Sequence, residues 1–339
     1  MATSAKQSEM PRVGRLRCGP LDSIADVSGI LVGHCTLSDG PVQTGVTVVY
    51  PHSKSLFLNK VPAAATVFNG FGKSVGLIQV DELGVLETPI GLTNTFGVPA
   101  VAQAQIKQAI AMHPEIGRAW STVNPLVFEC NDGYLNDIQV CSVQPEHYRQ
   151  ACESATAVFK QGAVGAGRGM SCFGLKGGIG SSSRKVNEYT VGVLVLSNFG
   201  KIPHLTICGQ SVGAKLAEEN GPEKGSIIML VATDAPLDAR QLRRLSSRAG
   251  VGLARTGSFM GHGSGDIALA FSTAYTIPHD CAVPMPAQAM LHETLMDGLF
   301  EATADACEQA ILSSLWHAES VSGRDDHRRQ RLLDVWNPK

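Results

Sequence analysis

A serine hydroxyl is a weak nucleophile at neutral pH and needs a base beside it. In "EKGSIIMLVATDAPL" (residues 223–237), Ser226 follows Gly225 at the head of an apolar run. If the peptide bond between them broke, Ser226 would carry a free α-amino group of reference pKa about 7.7–8.0. That amine could act as the base for its own hydroxyl. The same hydroxyl could break the bond, by attacking the Gly225 carbonyl and moving the acyl group from N to O. Water would then hydrolyse the ester. Glycine before the serine suits this, because it admits the strained backbone the attack requires. The plainer alternative is a turn residue that opens a strand.

A second hydroxyl stands in "HGSGD". Ser264 and Asp266 are two residues apart, and positions i and i+2 of an extended backbone share a face. A hydroxyl and a carboxylate would lie side by side at the entrance to a strand over 267–273. The nucleophile elbow G-x-S-x-G does not apply, because position 262 is His262 rather than glycine.

Other chemistries fit less well. "VFNGFGKS" (67–74) ends like a phosphate loop, but Val67 stands where the first glycine belongs. "GAGRGM" (165–170) gives G-x-G-x-G, and it follows a helical pattern instead of a strand. His34-Cys35, His204 with Cys208, and His279 with Cys281 are pairs lacking a full set of metal ligands. The nine cysteines are an odd number with no C-x-x-C, so neither a disulfide framework nor a zinc knuckle is expected, and Cys172 reads as a buried spectator. A net charge of −2 argues against nucleic acid, and Arg328-Arg329-Gln330-Arg331 reads as a solvated tail. The opening "MATSAKQSEMPRVGRLR" has no apolar leader and no window approaches a membrane span, so a cytoplasmic protein with reduced thiols is expected.

The elements that must position these groups follow from the apolar pattern. Of the 339 residues, 44% are hydrophobic and 17% charged, enough for a large core. Strands are expected over 27–35, 42–50, 63–70, 188–198, 227–233 and 267–273. Helices are expected over 100–113, 145–162 and 209–220, from about Pro236, and as a pair over 286–320. In the helix from Pro236, Leu242, Leu245, Ala249 and Leu253 form one core-facing stripe. Several strands are apolar on both faces and need cover on both. Two stacked sheets with helices outside satisfy that need. Residues 1–20 read as a mobile arm, 162–183 as a glycine- and serine-rich segment, and 220–225 as an exposed, cleavable turn.

Several segments in this order carry more weight together: "DVSGILVGH", "TGVTVVYP", "NGFGKSVGLIQVDELGVLETPIGLTNT", "ECNDGYLND", "GAGRGMSCFGLKGGIGSSSR", "VGVLVLSNFG", "GSIIMLVATDAPL" and "GSGDIALAFST". Over roughly residues 18–325 the chain resembles the L-aminopeptidase/D-esterase family, which includes the β-peptidyl aminopeptidases. The resemblance implies a four-layer α/β/β/α sandwich like that of N-terminal-nucleophile hydrolases, with different connectivity. It implies self-cleavage between Gly225 and Ser226 into residues 1–225 and 226–339, which stay together as one composite domain. The implied activity is release of N-terminal residues from small peptides, amides or esters through an acyl-enzyme, without metal or organic cofactor. The implied assembly is a homo-oligomer of αβ units, often a tetramer.

By matching motif, the resemblance makes Ser226 the nucleophile, and Ser264 with Asp266 the pair that orients and charges the site. Family members carry Glu where this chain has Asp266, which is one methylene shorter. Asn198 in "VLSNFG" and Tyr134 in "NDGYLND" match the donors to the oxyanion. Glu129 and Asp132 are candidates for the substrate's ammonium group, with a turn cap as the alternative for Asp132. Two rival readings remain. One is an acyltransferase of the ornithine-acetyltransferase type, whose cleavage site carries threonine where this chain has Ser226. The other is an unprocessed protein that binds a phosphate ligand on its glycine-rich segment.

Overall fold

Ten-residue strands whose two faces are both apolar can only sit in the middle of a layered domain. The strand carrying Ser226 is of this kind. The computed structural model describes residues 9–216, 224–280, 285 and 287–338. Its strands are β1 (Leu31–Asp39), β2 (Val42–Tyr50), β3 (Asn59–Gly70), β4 (Ile90–Asn94), β5 (Leu126–Cys130), β6 (Gly178–Val186), β7 (Tyr189–Asn198), β8 (Lys224–Thr233) and β9 (Gly263–Ser272). The main helices are α1 (Leu77–Leu83), α2 (Val98–Met112), α3 (Pro145–Glu153), α4 (Ala239–Arg255) and α5 (Met296–Trp316).

One sheet runs β1-β2-β4-β5 and the other runs β3-β9-β8-β7-β6, with short strands adding to β3. Pairing within them is antiparallel except at β4–β5 and β8–β9. Alternation along β8 shows the layering. Ile227, Met229 and Val231 join a core with Leu242, Leu245, Ala249 and Leu253 of α4 and Leu299, Ala306 and Ala310 of α5. Ile228, Leu230 and Ala232 join a second core with Val49, Ile90, Leu92 and Phe128 of the facing sheet. A third core lies between that sheet and α2 and α3. The result is the expected α/β/β/α sandwich.

Several boundaries differ from expectation, each for a local reason. α3 ends at Glu153, because Thr156 leaves the helix to bridge Val32. α4 begins at Ala239, where Asp238 accepts the Gln241 N–H at 2.7 Å. The expected C-terminal pair is one helix of 21 residues, α5, preceded by a single turn over Glu293–Leu295. The helix expected over 209–220 is a single turn, Gly213–Lys215, and 217–220 lie outside the described residues. Most of the polar turn 220–225 lies there too. Ser226 is the third residue of β8, and β9 begins early enough to include Ser264 and Asp266. Residues 9–20, expected as part of a free arm, are docked: the buried Val13 gives its N–H to Gln309 of α5 at 2.8 Å.

The Arg328–Arg331 segment is not a solvated tail either. Val321–Ser322 pairs with Arg328–Arg329, and Leu332 is fully buried.

The close approach of α5 to β6 depends on Gly180. A Cβ there would fall 1.9 Å from the Ala310 carbonyl oxygen and 2.6 Å from the Ser314 nitrogen. Both are backbone atoms of a long helix and cannot yield. Gly180→Ala is expected to destabilise the protein by about 2 kcal/mol or more, seen as a lowered urea midpoint.

Candidate active site

β8 lies between β7 and β9, so the residues flanking Ser226 are set by register. Asn198 is opposite it on the antiparallel side and Gly265 on the parallel side. The Gly265 N–H donates to Ser226 Oγ at 3.1 Å. Ser226 is only 6% exposed, yet it lines a cavity of about 900 Å³, so the cavity is its access to solvent. Gly225 has φ +134°, and a Cβ on it would lie 2.0 Å from the Asn198 carbonyl oxygen. Only glycine fits the position before the serine.

Ser264 Oγ donates to Asp266 Oδ1 at 2.5 Å, a short charge-assisted bond between two buried groups. The couple brackets Gly265, the residue that holds the nucleophile. The same-face pairing expected from the i, i+2 spacing is present.

Asn198 ends β7 and has both ends of its amide fixed. Its Oδ1 accepts the Ser171 N–H at 2.8 Å, and its Nδ2 donates to the Asn131 carbonyl at 2.9 Å. Ser171 belongs to the glycine-rich segment, and sequence reasoning missed the residue that shapes it. Lys176 is completely buried, with Nζ donating to the carbonyls of Gly167 (2.9 Å), Met170 (2.7 Å) and Gly177 (2.7 Å). Burial pushes its ammonium pKa well below the usual lysine value. Here carbonyl oxygens converge on a cation, whereas a phosphate cradle would aim N–H groups at an anion. The segment therefore does not support the phosphate-binding alternative. Cys172, beside Ser171, is fully buried.

Tyr134 lies at the cavity wall between two side chains from the C-terminal segment. His327 stacks on it at 4.4 Å with planes 7° apart, and the Arg329 guanidinium lies 3.6 Å from the ring centroid. Arg329 also donates from Nε to Ser171 Oγ at 3.1 Å and lines the cavity. No local motif marks His327 or Arg329; their partners are far away in sequence.

The two acidic candidates separate. Glu129 faces the cavity, is 3% exposed, and accepts the Lys73 N–H at 2.8 Å and the Thr95 hydroxyl. Asp132 does not line the cavity. Its carboxylate is fully buried, accepting from Asn94 (3.2 Å) and Asn136 (3.0 Å), so the turn after β5 needs it as an internal acceptor. Burial pushes its pKa up to about 6, and the side-chain hydrogen bonds oppose that rise.

The chain has counterparts among known proteins. The family model of peptidase family S58 matches residues 22–329. The chain belongs to peptidase family S58. The β-peptidyl aminopeptidase BapA of Sphingosinicella microcystinivorans is 35% identical, the match covering 98% of this chain and 92% of the relative. The PH0078 protein of Pyrococcus horikoshii superposes with a TM-score of 0.91 at 48% identity, over 95% of this chain and 94% of the other. The L-aminopeptidase D-Ala-esterase/amidase of Ochrobactrum anthropi, described as a new variant among the Ntn hydrolase fold, gives 0.88 at 31% identity, over 94% and 93%. The chain is an aminopeptidase of the serine type. Among the described residues no helix is long and apolar enough to cross a membrane.

Asp132 generates a pH prediction. Its folded pKa of about 6 lies above the unfolded value of about 3.9, so the stability it contributes is full below pH 4 and lost as pH rises through 6. In urea titrations the stability of Asp132→Asn relative to wild type is expected to rise between about pH 4 and 6 and to level off above.

Proposed function

We propose that the chain severs its own backbone between Gly225 and Ser226. It then removes N-terminal residues from small peptides, amides or esters through an acyl-enzyme on Ser226. The observation that carries this reading is the placement of Ser226. A nearly buried hydroxyl, preceded by a glycine at φ +134°, opens onto a large cavity from a strand held on both edges.

In the first reaction the Ser226 hydroxyl attacks the Gly225 carbonyl carbon, and the C–N bond breaks in favour of an ester. Water hydrolyses that ester, leaving a carboxylate on Gly225 and an amine on Ser226. In turnover the amine takes the Oγ proton as Oγ attacks the substrate carbonyl. The Asn198 amide donates to the resulting oxyanion, and Tyr134 supplies a second donor from the cavity wall. Collapse of the intermediate expels the leaving amine, which receives the proton, and water then releases the acyl group. Glu129, already polarised by two donors, receives the substrate's ammonium group. The Ser264–Asp266 couple holds the strand segment around Gly265 and places negative charge beneath the amine.

Two further features fit the reading. Among the described residues no two cysteines are joined in a disulfide, as suits a reducing cytoplasm. Ile106 and Ile110 are exposed one turn apart on α2, which suits assembly into an oligomer of αβ units.

Purified protein is expected to give two bands on a denaturing gel, the smaller beginning Ser-Ile-Ile-Met-Leu on N-terminal sequencing. Ser226→Ala is expected to stay full length and inactive. A Ser226→Ala chain that still splits ahead of residue 226 overturns the intramolecular attack. In processed protein, Asn198→Ala is expected to lower kcat roughly a hundredfold with KM little changed, the signature of a lost oxyanion donor.

A further inference from the structure

Among the described lining residues Glu129 is the one carboxylate, while cations line both sides of the nucleophile, Lys73 next to Glu129 and Lys201 and Arg329 on the other side. Ser226 sits on β8, with β9 on one side and β7 on the other. Glu129 belongs to the β9 side. A Cβ built on Gly72 would be 3.6 Å from Glu129 Oε1 and 3.8 Å from Gly265 Cα, so the carboxylate sits across Gly72 from the β9 partner of Ser226. Arg329 belongs to the β7 side. Its Nε donates to Ser171 Oγ, and the Ser171 N–H donates to Asn198, the β7 partner of Ser226. Lys201, three residues beyond Asn198, lines the same cavity.

A short peptide laid across Ser226 has its ammonium on one side of the scissile carbonyl and its carboxylate on the other. The cavity offers the carboxylate of Glu129 on one side and, on the other, the cations Arg329 and Lys201 with no carboxylate among the described lining residues. From Ser226 to Arg329 the wall is two side chains deep, Asn198 then Ser171. An extended leaving group of one or two residues, at about 3.5 Å each, covers such a span.

Resting on the aminopeptidase reading above, we infer that Arg329, held against the Tyr134 ring and by Ser171, binds the free C-terminal carboxylate of a short peptide substrate. It thereby selects di- and tripeptides over amides and longer chains.

A guanidinium suits this task better than an ammonium. It keeps its charge at any working pH, is weakly hydrated, and presents N–H groups in a planar fork that matches a carboxylate. Contact with the Tyr134 ring, 3.6 Å from its centroid, restrains that fork. Arg329 follows the processing site by about a hundred residues and reaches the cavity only because the segment after α5 folds back. Arg324 Nε anchors that return to the Gly133 carbonyl at 2.7 Å, beside Tyr134.

The test compares processed wild type with Arg329→Gln and Arg329→Lys on matched probes. These are L-alanyl-L-alanine and β-alanyl-L-alanine, each against its C-terminal amide. For Arg329→Gln, KM for the free dipeptides is expected to rise about tenfold or more relative to KM for the matched amides. Arg329→Lys is expected to fall between. Equal losses on acid and amide would show that Arg329 only holds Tyr134 and Ser171 in place, and would overturn the inference alone. So would the absence of any change on either probe. A processed wild type that releases alanine or β-alanine from none of the probes overturns the aminopeptidase reading and this inference with it. If Arg329→Gln does not process, the comparison of wild type with Arg329→Lys still decides, because only carboxylate binding separates acid from amide.

Discussion

Everything at the site depends on β8 being locked on four sides. Its edges pair with β7 and β9, and its faces are buried against helices on one side and a second sheet on the other. Catalytic geometry tolerates errors of only about half an ångström, and a strand held in this way supplies that rigidity where a loop would not. The same constraint would let the fold outlast the proposed cut in the backbone. A break ahead of Ser226 leaves the register from Ile227 to Thr233 paired on both edges. The new amine would therefore appear at a fixed point, beside Gly265 and Asn198, and not at a frayed end.

Rigidity in the neighbouring segment has a different origin. The chain from Gly162 to Gly178 has little regular structure, and its carbonyls would be poorly satisfied if it were simply packed under the sheet. Lys176 satisfies three of them with one buried ammonium. The charge carries a large desolvation cost, which is why its pKa falls, and the convergent carbonyls offset part of that cost. The benefit is positional: Ser171 is placed so that its N–H orients the Asn198 amide and its hydroxyl anchors Arg329.

What the sequence revealed follows the range of the interactions involved. Strands buried on both faces appear as continuous apolar runs, so 42–50 and 188–198 were legible almost to the residue, and the stripe on α4 identified a helix covering a sheet. α5 was not legible as one helix, because it is buried nearly all round and shows no clean amphipathic period. The Gly225-Ser226 junction could be argued from bond chemistry alone, and the Ser264–Asp266 pair from strand periodicity. Asn198, Tyr134 and Glu129 needed family motifs to stand out. Lys176 and Arg329 left no signal, since a lysine among glycines and an arginine in a basic run both read as solvated. Arg329 meets Ser171 across 158 residues of chain, a distance at which periodicity is silent.

Asp132 and Glu129 show how environment divides two carboxylates on one short segment. Asp132 points into a closed polar pocket, where two amides hold it; burial raises its pKa and fits it for cross-linking the turn. Glu129 takes a backbone N–H and a hydroxyl, and still opens on the cavity. Those donors suit an ionised carboxylate, and its open side suits a cationic guest. An aminopeptidase must recognise an N-terminus by its charge while excluding the interior of a longer chain. With Glu129 in its proposed role, a nearly buried carboxylate on one side of a nearly buried serine would achieve this, because an uncharged peptide group placed against Glu129 would desolvate the carboxylate without an ammonium to compensate. In that role specificity for chain ends would follow from burial itself, before any side-chain pocket is considered.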